Sequence, residues 1–213
     1  MIEEKVRKVA RRCNNLSGKE WLRNSVSIWS NLRKNSEEVK LRHPASFPLA
    51  LVKKAIDCFT SDEDTVILDP FVGIGTTVIM ATREGKTGIG FDISGEYLSI
   101  AEKRLNQNDL FQSNNNYQLI EANAHDVCKY LEPNTVDLVF TSPPYWDILN
   151  RKRTADGKEI RNYGNSLSDL GNIEDYSLFL QSLTEVFRSV SLVLKPNKYC
   201  ISISAYISIS ISA

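Results

Sequence analysis

The sequence predicts a doubly wound α/β domain built on a mostly parallel sheet, and three observations carry that expectation. From residue 49 onward, short apolar runs rich in β-branched and aromatic residues alternate with stretches of 3.6-residue periodicity. The connections between them are mostly short, which calls for parallel strands covered by helices on both faces. A glycine-rich turn joins the first strand to the helix after it, at the sheet edge where such folds bind ligands.

Taken in order, residues 3–13 predict a short amphipathic helix, and 18–42 an irregular arm holding Trp21 and Trp29. HPASFP, residues 43–48, reads as a rigid loop because its two prolines fix φ. A helix is expected from Pro48 or Leu49, with Leu49, Val52, Ile56 and Phe59 on one face. Strands are expected at 65–69, 88–93, 117–122 and 136–142, and helices at 76–83 and 96–107. A loop rich in Asn, Gly and Asp spans 147–173. The long helix DYSLFLQSLTEVFRSVSLVL and a fifth strand, KPNKYCISIS, follow it. The final ISISAYISISISA alternates Ile and Ser with period two and reads as a low-complexity or truncated end. Three parts result: a basic helical arm at 1–42, a core at 43–204 and a tail at 205–213.

Composition narrows the class. The chain has 213 residues, 42% of them hydrophobic and 24% charged, as an ordinary globular domain does. No run is apolar enough for a membrane helix, and MIEEKVRKVARR has no apolar stretch behind its charges, so no membrane and a cytoplasmic location are expected. Four cysteines without a Cys-x-x-Cys pair read as reduced and mostly packed, and two histidines make no zinc site, so no metal is expected. The formal net charge is zero, yet residues 1–42 carry eleven Lys/Arg against five Asp/Glu. RKRTADGKEIR at 151–161 carries five against two. Two basic segments on an acidic body suggest a polyanionic partner, although a solvated helix and a solvated loop explain the charge alone more readily.

Three motifs carry chemistry. In DPFVGIGTT, Asp69 to Thr77, Gly73 and Gly75 permit a sharp turn and a close backbone approach, and the next helix offers open N–H groups. Val78 stands in place of the third glycine of a dinucleotide fingerprint, and Gly85-Lys86-Thr87 follows a helix instead of a strand, which excludes a Walker A loop. Asp92 ends the second strand 23 residues after Asp69, the spacing of a carboxylate that holds ribose hydroxyls; a helix cap is the alternative. In TSPPYW, Thr141 to Trp146, Pro143 and Pro144 leave carbonyl oxygens on a stiff loop beside the Ser142 hydroxyl and the flat face of Tyr145. Acceptors next to an aromatic plane suit the exocyclic amino group of a stacked base. Strands one and four flank the switch point of such a sheet, so the two loops are expected to face each other.

Together these motifs resemble the S-adenosylmethionine-dependent DNA amino-methyltransferases, which modify N4 of cytosine or N6 of adenine, over about residues 43–200. The resemblance implies a Rossmann-like methyltransferase fold with S-adenosyl-L-methionine as cofactor. HPASFP, with Pro44, Phe47 and Pro48, is similar to the family's element beside the methionine end. DPFVGIGTT is similar to its cofactor loop. By that likeness Asp69, Phe71, Gly73 and Gly75 hold the methionine portion, with Pro70, Thr76 and Thr77 in the same loop. GFDIS resembles the ribose-binding strand end, with Asp92 and Ile93. Ala122-Asn123-Ala124 resembles a Gly-Asp-Ala element that binds the adenine amino group, and the amide oxygen of Asn123 can still accept there. TSPPYW resembles the catalytic loop, which makes Ser142, Pro143, Pro144 and Tyr145 the catalytic candidates.

The resemblance implies a methyltransferase of a restriction-modification system acting on double-stranded DNA, with N4 of cytosine favoured over N6 of adenine by the Ser before Pro-Pro. Family members usually continue with a β-hairpin and a target-recognition region, for which only the Ile/Ser tail stands here. Residues beyond about 204 are therefore expected either to pair with a partner chain or a second copy, or to remain loosely packed. An RNA guanine-N2 methyltransferase shares the motif order, and a partner subunit without activity of its own stays open as a third reading.

Overall fold

The computed structural model describes residues 13–40, 47–108, 116–146 and 169–204. The expected N-terminal helix (apart from Cys13), Pro44, the basic cluster 151–161 and the tail 205–213 lie outside the described residues. Five strands, β1 (Val66–Asp69), β2 (Thr87–Asp92), β3 (Tyr117–Glu121), β4 (Val136–Thr141) and β5 (Leu194–Ser202), form one sheet of order β3-β2-β1-β4-β5. Every pairing is parallel. The chain moves outward from β1 to β3, then crosses back to place β4 on the other side of β1. The switch point therefore falls between β1 and β4, as the alternation of elements requires.

Helices cover both faces. The described residues form seven: α1 (Gly18–Asn24), α2 (Ser36–Lys40), α3 (Leu49–Phe59), α4 (Thr76–Arg83), α5 (Gly95–Asn108), α6 (Val127–Tyr130) and α7 (Tyr176–Val193). Strand residues alternate between two cores. Ile67, Leu138 and Phe140 meet Val52, Ile56, Val78, Ile79, Leu98 and Leu105 of α3, α4 and α5. Leu68, Phe91 and Val139 meet Val127 of α6 and Phe179, Val186, Val190 and Val193 of α7. Each large side chain fully buried here contributes about 1.5–3 kcal/mol relative to exposure. β4 is buried along its whole length, and β1 at three of its four residues, which is why neither shows a polar alternation in sequence.

The 18–42 segment differs from the expected irregular arm, since it contains α1 and α2. Ser17 accepts from the Glu20 N–H while the Glu20 carboxylate accepts from the Ser17 N–H, a capping box that starts α1. The arm is also tied to the core: the Asn14 amide donates to the Cys58 carbonyl at 2.7 Å, and Glu38, buried, accepts the Leu49 N–H at 2.6 Å. Glu38 thus satisfies an open donor of α3, which Pro48 cannot cap with a side chain. Cys58 is buried, but Cys128 and Cys200 are exposed, so the expectation of mostly packed cysteines fails at two of the four.

The amino ends of the strands are pinned by paired carboxylates. Asp137 accepts from the Thr65 and Val66 N–H groups at 3.0 and 3.1 Å and from the Lys195 ammonium at 2.7 Å, joining β1, β4 and β5. Asp64 bonds Lys198. Both lysines are set by an irregularity in β5, where Val136 pairs Leu194 but Leu138 pairs Tyr199, with Asn197 at φ +62°. Pro196 is tolerated in that stretch because β5 is the edge strand among those described.

At the opposite edge, the loop after β1 folds back over β2. The Val72 N–H donates to the Phe91 carbonyl at 2.8 Å, and a Cβ on Gly90 would stand 2.6 Å from Val72 Cγ2. Gly90→Ala is therefore expected to destabilise the domain by about 1–3 kcal/mol through overpacking. Gly18→Ala, where nothing lies within 4 Å of the added carbon, is expected to be neutral or mildly stabilising. Thermal denaturation of the two variants checks this, and equal midpoints would show that the loop does not rest on β2 as described.

Candidate functional site: the cavity at the β1–β4 switch point

The carboxyl ends of β1 and β4 hold one buried acid between them. Asp69, 1% exposed, accepts from the Phe71 N–H at 3.0 Å and from the Thr141 hydroxyl at 2.6 Å on Oδ1. Its Oδ2 accepts from the Thr77 hydroxyl at 2.6 Å. One side chain thus fixes the turn after β1, the first turn of α4 and the last residue of β4. Burial pushes its pKa up to about 6, against the lowering effect of those three donors. The resemblance put Asp69 against the methionine portion of a cofactor; in the structure its carboxylate turns inward, and it does not line the cavity.

The turn that Asp69 holds leads into a cavity of about 850 Å³, counting the space open to solvent. Of the expected residues, Phe47, Pro70, Phe71, Gly73, Thr76, Asp92, Ile93, Asn123, Ala124, Ser142 and Pro144 line it. Gly75, Thr77, Pro48, Pro143 and Tyr145 are not among the lining residues. Gly75 has φ +85°, and a Cβ there would meet Ala101 Cβ at 2.8 Å, so a glycine is needed both for conformation and for the approach of α4 to α5. Phe47 reaches the cavity from before α3 and packs edge-on against Phe140 with centroids 5.4 Å apart.

Asp92 sits where β2 ends. Its Oδ2 accepts from the Gly73 N–H at 2.9 Å and its Oδ1 from the Ser94 N–H at 2.8 Å, so it clasps the glycine loop while facing the cavity. Burial raises its pKa; the Ser94 and Gly73 N–H groups oppose that, and the charge of Asp169 adds to the rise. Each carboxylate oxygen keeps acceptor capacity beyond the bond it makes. Asn123 uses its side-chain oxygen to cap the short turn Ala124–Asp126 through the His125 N–H at 2.9 Å. Across the cavity, Ser142 Oγ and the Tyr145 hydroxyl lie 2.6 Å apart. Trp146, at φ +47°, ends the loop by packing edge-on against Tyr176 at 4.9 Å.

The motif reading gave no role to Val72, Ile74, Ser94, Tyr97, Ala122, Asp169 and Leu170, which also line the cavity. Tyr97 and Ser94 had a signal, since they begin the helix that follows Asp92. Asp169 and Leu170 had none, because they arrive from a loop with no periodic pattern. The assembled wall is mostly apolar, carries two carboxylates and has no Lys, Arg or His among the lining residues. That donor set fits S-adenosylmethionine: acceptors for hydroxyl and amino groups, apolar surface for a purine, and negative charge facing a ligand that bears a sulfonium and an ammonium. Among the described residues no His/Cys/Asp/Glu group is placed to hold a metal, and no helix is long and apolar enough to cross a membrane.

The Asp69 arrangement predicts a pH-dependent mutational cost. Thr141→Val removes a donor to a buried carboxylate and is expected to destabilise by about 1–3 kcal/mol at pH 8. A raised native pKa means that the charged form is the costly one, and that its stability contribution is lost as pH rises through about 6. Losing a donor raises that pKa further, so the deficit should shrink at pH 5, where Asp69 is protonated. Denaturant titrations at the two pH values check this; a cost that is equal at both, or larger at pH 5, would show that Asp69 does not titrate in this range.

Comparison with known proteins agrees with this construction. A family model described as a methyltransferase domain matches residues 61–209, and one described as DNA methylase matches residues 2–103. Type II methyltransferase M2.LlaDCHI of Lactococcus lactis subsp. cremoris is 44% identical over 81 residues, covering 38% of this chain and 30% of that protein. Type II methyltransferase M.ScaI of Streptomyces caespitosus is 37% identical over 100 residues, covering 44% and 31%. Type II methyltransferase M.BglII of Bacillus subtilis is 30% identical over 123 residues, covering 57% and 32%. The match therefore spans about a third of these curated relatives. With a parallel sheet of order β3-β2-β1-β4-β5 and an acid-lined cavity at its switch point, the chain belongs to the methyltransferase-domain family whose model matches residues 61–209, and over residues 2–103 it is similar to the DNA methylases.

Proposed function

We propose that this chain carries the catalytic core of a restriction-modification DNA methyltransferase that modifies an exocyclic amino group of a base flipped from double-stranded DNA. The observation that carries the reading is the juxtaposition of Asp92 with Ser142 and Pro144 on one cavity, from strands on either side of β1. Asp92 would hold the ribose hydroxyls, Phe71 and Gly73 would flank the methionine portion, and Asn123 with Ala124 would meet the adenine edge. The cofactor supplies an electrophilic methyl on its sulfonium.

The chain's own residues would prepare the acceptor. An exocyclic amino nitrogen is a poor nucleophile because its lone pair is delocalised into the ring. Ser142 Oγ and the Pro143 carbonyl would accept its two hydrogens, favour a pyramidal nitrogen and aim its lone pair into the cavity. Tyr145 would stack on the base, with its hydroxyl held by Ser142 at 2.6 Å. The Ser before Pro-Pro favours N4 of cytosine over N6 of adenine. The base must leave the duplex to reach the loop, and Lys/Arg of 1–42 and 151–161 would hold its phosphates.

Two measurements test this. Calorimetry is expected to show S-adenosylhomocysteine binding to the wild type and at least a ~10-fold loss in Asp92→Ala, which removes charge-assisted hydrogen bonds; equal affinity would take Asp92 out of the site. Transfer of labelled methyl to duplex DNA, tRNA and a blank is expected to favour DNA. Ser142→Ala and Tyr145→Ala should lower it by ~10²-fold or more with little change in cofactor affinity. Transfer to tRNA alone would favour the RNA guanine reading, and loss of cofactor binding in both variants would make the loop structural.

A further inference from the structure

The cavity holds a carboxylate that neither the motifs nor the proposed chemistry uses. Asp169, 4% exposed, opens the 3-10 turn Leu170–Asn172 and commits Oδ1 to the Gly171 N–H at 2.8 Å. Its Oδ2 is fully buried and meets no hydrogen-bond partner among the described residues, while Asp169 itself lines the cavity. A buried acceptor left open is costly to a fold and is kept where a ligand completes it.

Two observations fix which part of a ligand it faces. Leu170, the next residue, packs in one cluster with Phe91, Ala124 and Val127, with Phe71 and Ala122 against it. That places Asp169 toward the β2 and β3 end of the cavity, the end of Asp92 and Asn123 and not that of Phe47. Asp92 also feels the charge of Asp169, which agrees with that placement. No Lys, Arg or His lines the cavity to neutralise either one.

We infer that Asp169 is a further cofactor-binding residue, whose open Oδ2 accepts a hydrogen bond from the adenosine half of S-adenosylmethionine. The inference rests on the reading of this cavity as the cofactor site. Two donors in that half suit it, a ribose hydroxyl and the adenine amino group. Asn at this position is a sharp probe. The Gly171 N–H needs an oxygen, so the amide nitrogen is forced into the place of Oδ2, where it presents a donor to a donor.

The test is calorimetry of the wild type, Asp169→Asn and Asp169→Ser with three ligands. These are S-adenosylhomocysteine, 5′-methylthioadenosine (no amino-acid end) and S-inosylhomocysteine (no adenine amino group). Both variants are expected to weaken S-adenosylhomocysteine and 5′-methylthioadenosine by the same factor, about tenfold or more. A loss that persists with S-inosylhomocysteine identifies the ribose as donor, and one that disappears identifies the amino group. Unchanged affinities overturn the inference, as does a loss seen with S-adenosylhomocysteine but not with 5′-methylthioadenosine, which would put Asp169 at the amino-acid end. Absence of binding by the wild type overturns the cavity assignment and this inference with it. A merely structural role for Asp169 predicts a lower melting midpoint for unliganded Asp169→Asn. Cofactor binding predicts an unchanged or higher one, because a neutral amide is easier to bury than an open carboxylate.

Discussion

The Asp69 carboxylate is the constraint around which the site is arranged. It is buried between β1 and β4, and its three donors belong to three different pieces of chain: Phe71 in the turn, Thr77 in α4 and Thr141 at the end of β4. Removing any of them leaves a buried charge short of a partner, so the turn, the helix and the strand end hold one another in register. Gly73 leaves that turn with its N–H directed at Asp92, and Ser142 leaves β4 one residue after Thr141. Both walls of the cavity are therefore placed by one side chain that does not line it.

The two edges of the sheet treat carboxylates in opposite ways. At the amino ends, Asp137 is matched by two backbone N–H groups and the Lys195 ammonium, and Asp64 by Lys198. At the carboxyl ends no cation lines the cavity beside Asp92 and Asp169, and burial raises both of their pKa values. The same residue type is paired with a cation where it closes the fold, and where it faces the cavity it has none, with Asp169 Oδ2 also lacking a hydrogen-bond partner among the described residues. Such unmet demand costs stability in the unliganded protein and is returned as affinity when a ligand supplies the missing donors.

The sequence displayed those parts of the fold whose signal is local. Val52 and Ile56 repeat with helical spacing and lie on one buried face of α3, and VDLVFT is apolar because β4 is covered on both sides. α1 escaped notice because its apolar residues, Trp21 and Leu22, are exposed and form no stripe, although the Ser17/Glu20 capping box was readable. α6 is a single turn, too short for any periodicity. In the site, Asp92 was legible from its spacing within a βαβ unit. Asp69 was visible as a motif residue, but its inward role was not, since that role depends on Thr141, 72 positions later. Asp169 had no pattern at all. Its neighbours in the cavity are distant in the chain, and only the folded sheet brings them together.

The stiffness of the Ser142–Trp146 loop has several independent sources, which bears on what it can do. Pro143 and Pro144 fix two φ angles, the Ser142 and Tyr145 hydroxyls bond each other, and Trp146 is anchored on Tyr176 at the start of α7. Asp175 caps that same helix start through the Leu178 N–H, and the turn that carries Asp169 packs on α7. The loop beside the cavity and the turn bearing its second acid are thus braced by one helix end. A displacement of α7 would move both together, because the loop and the turn rest on the same helix. For the proposed direct transfer between two bound groups, where small misplacements are costly, that common support matters more than the rigidity of either wall alone.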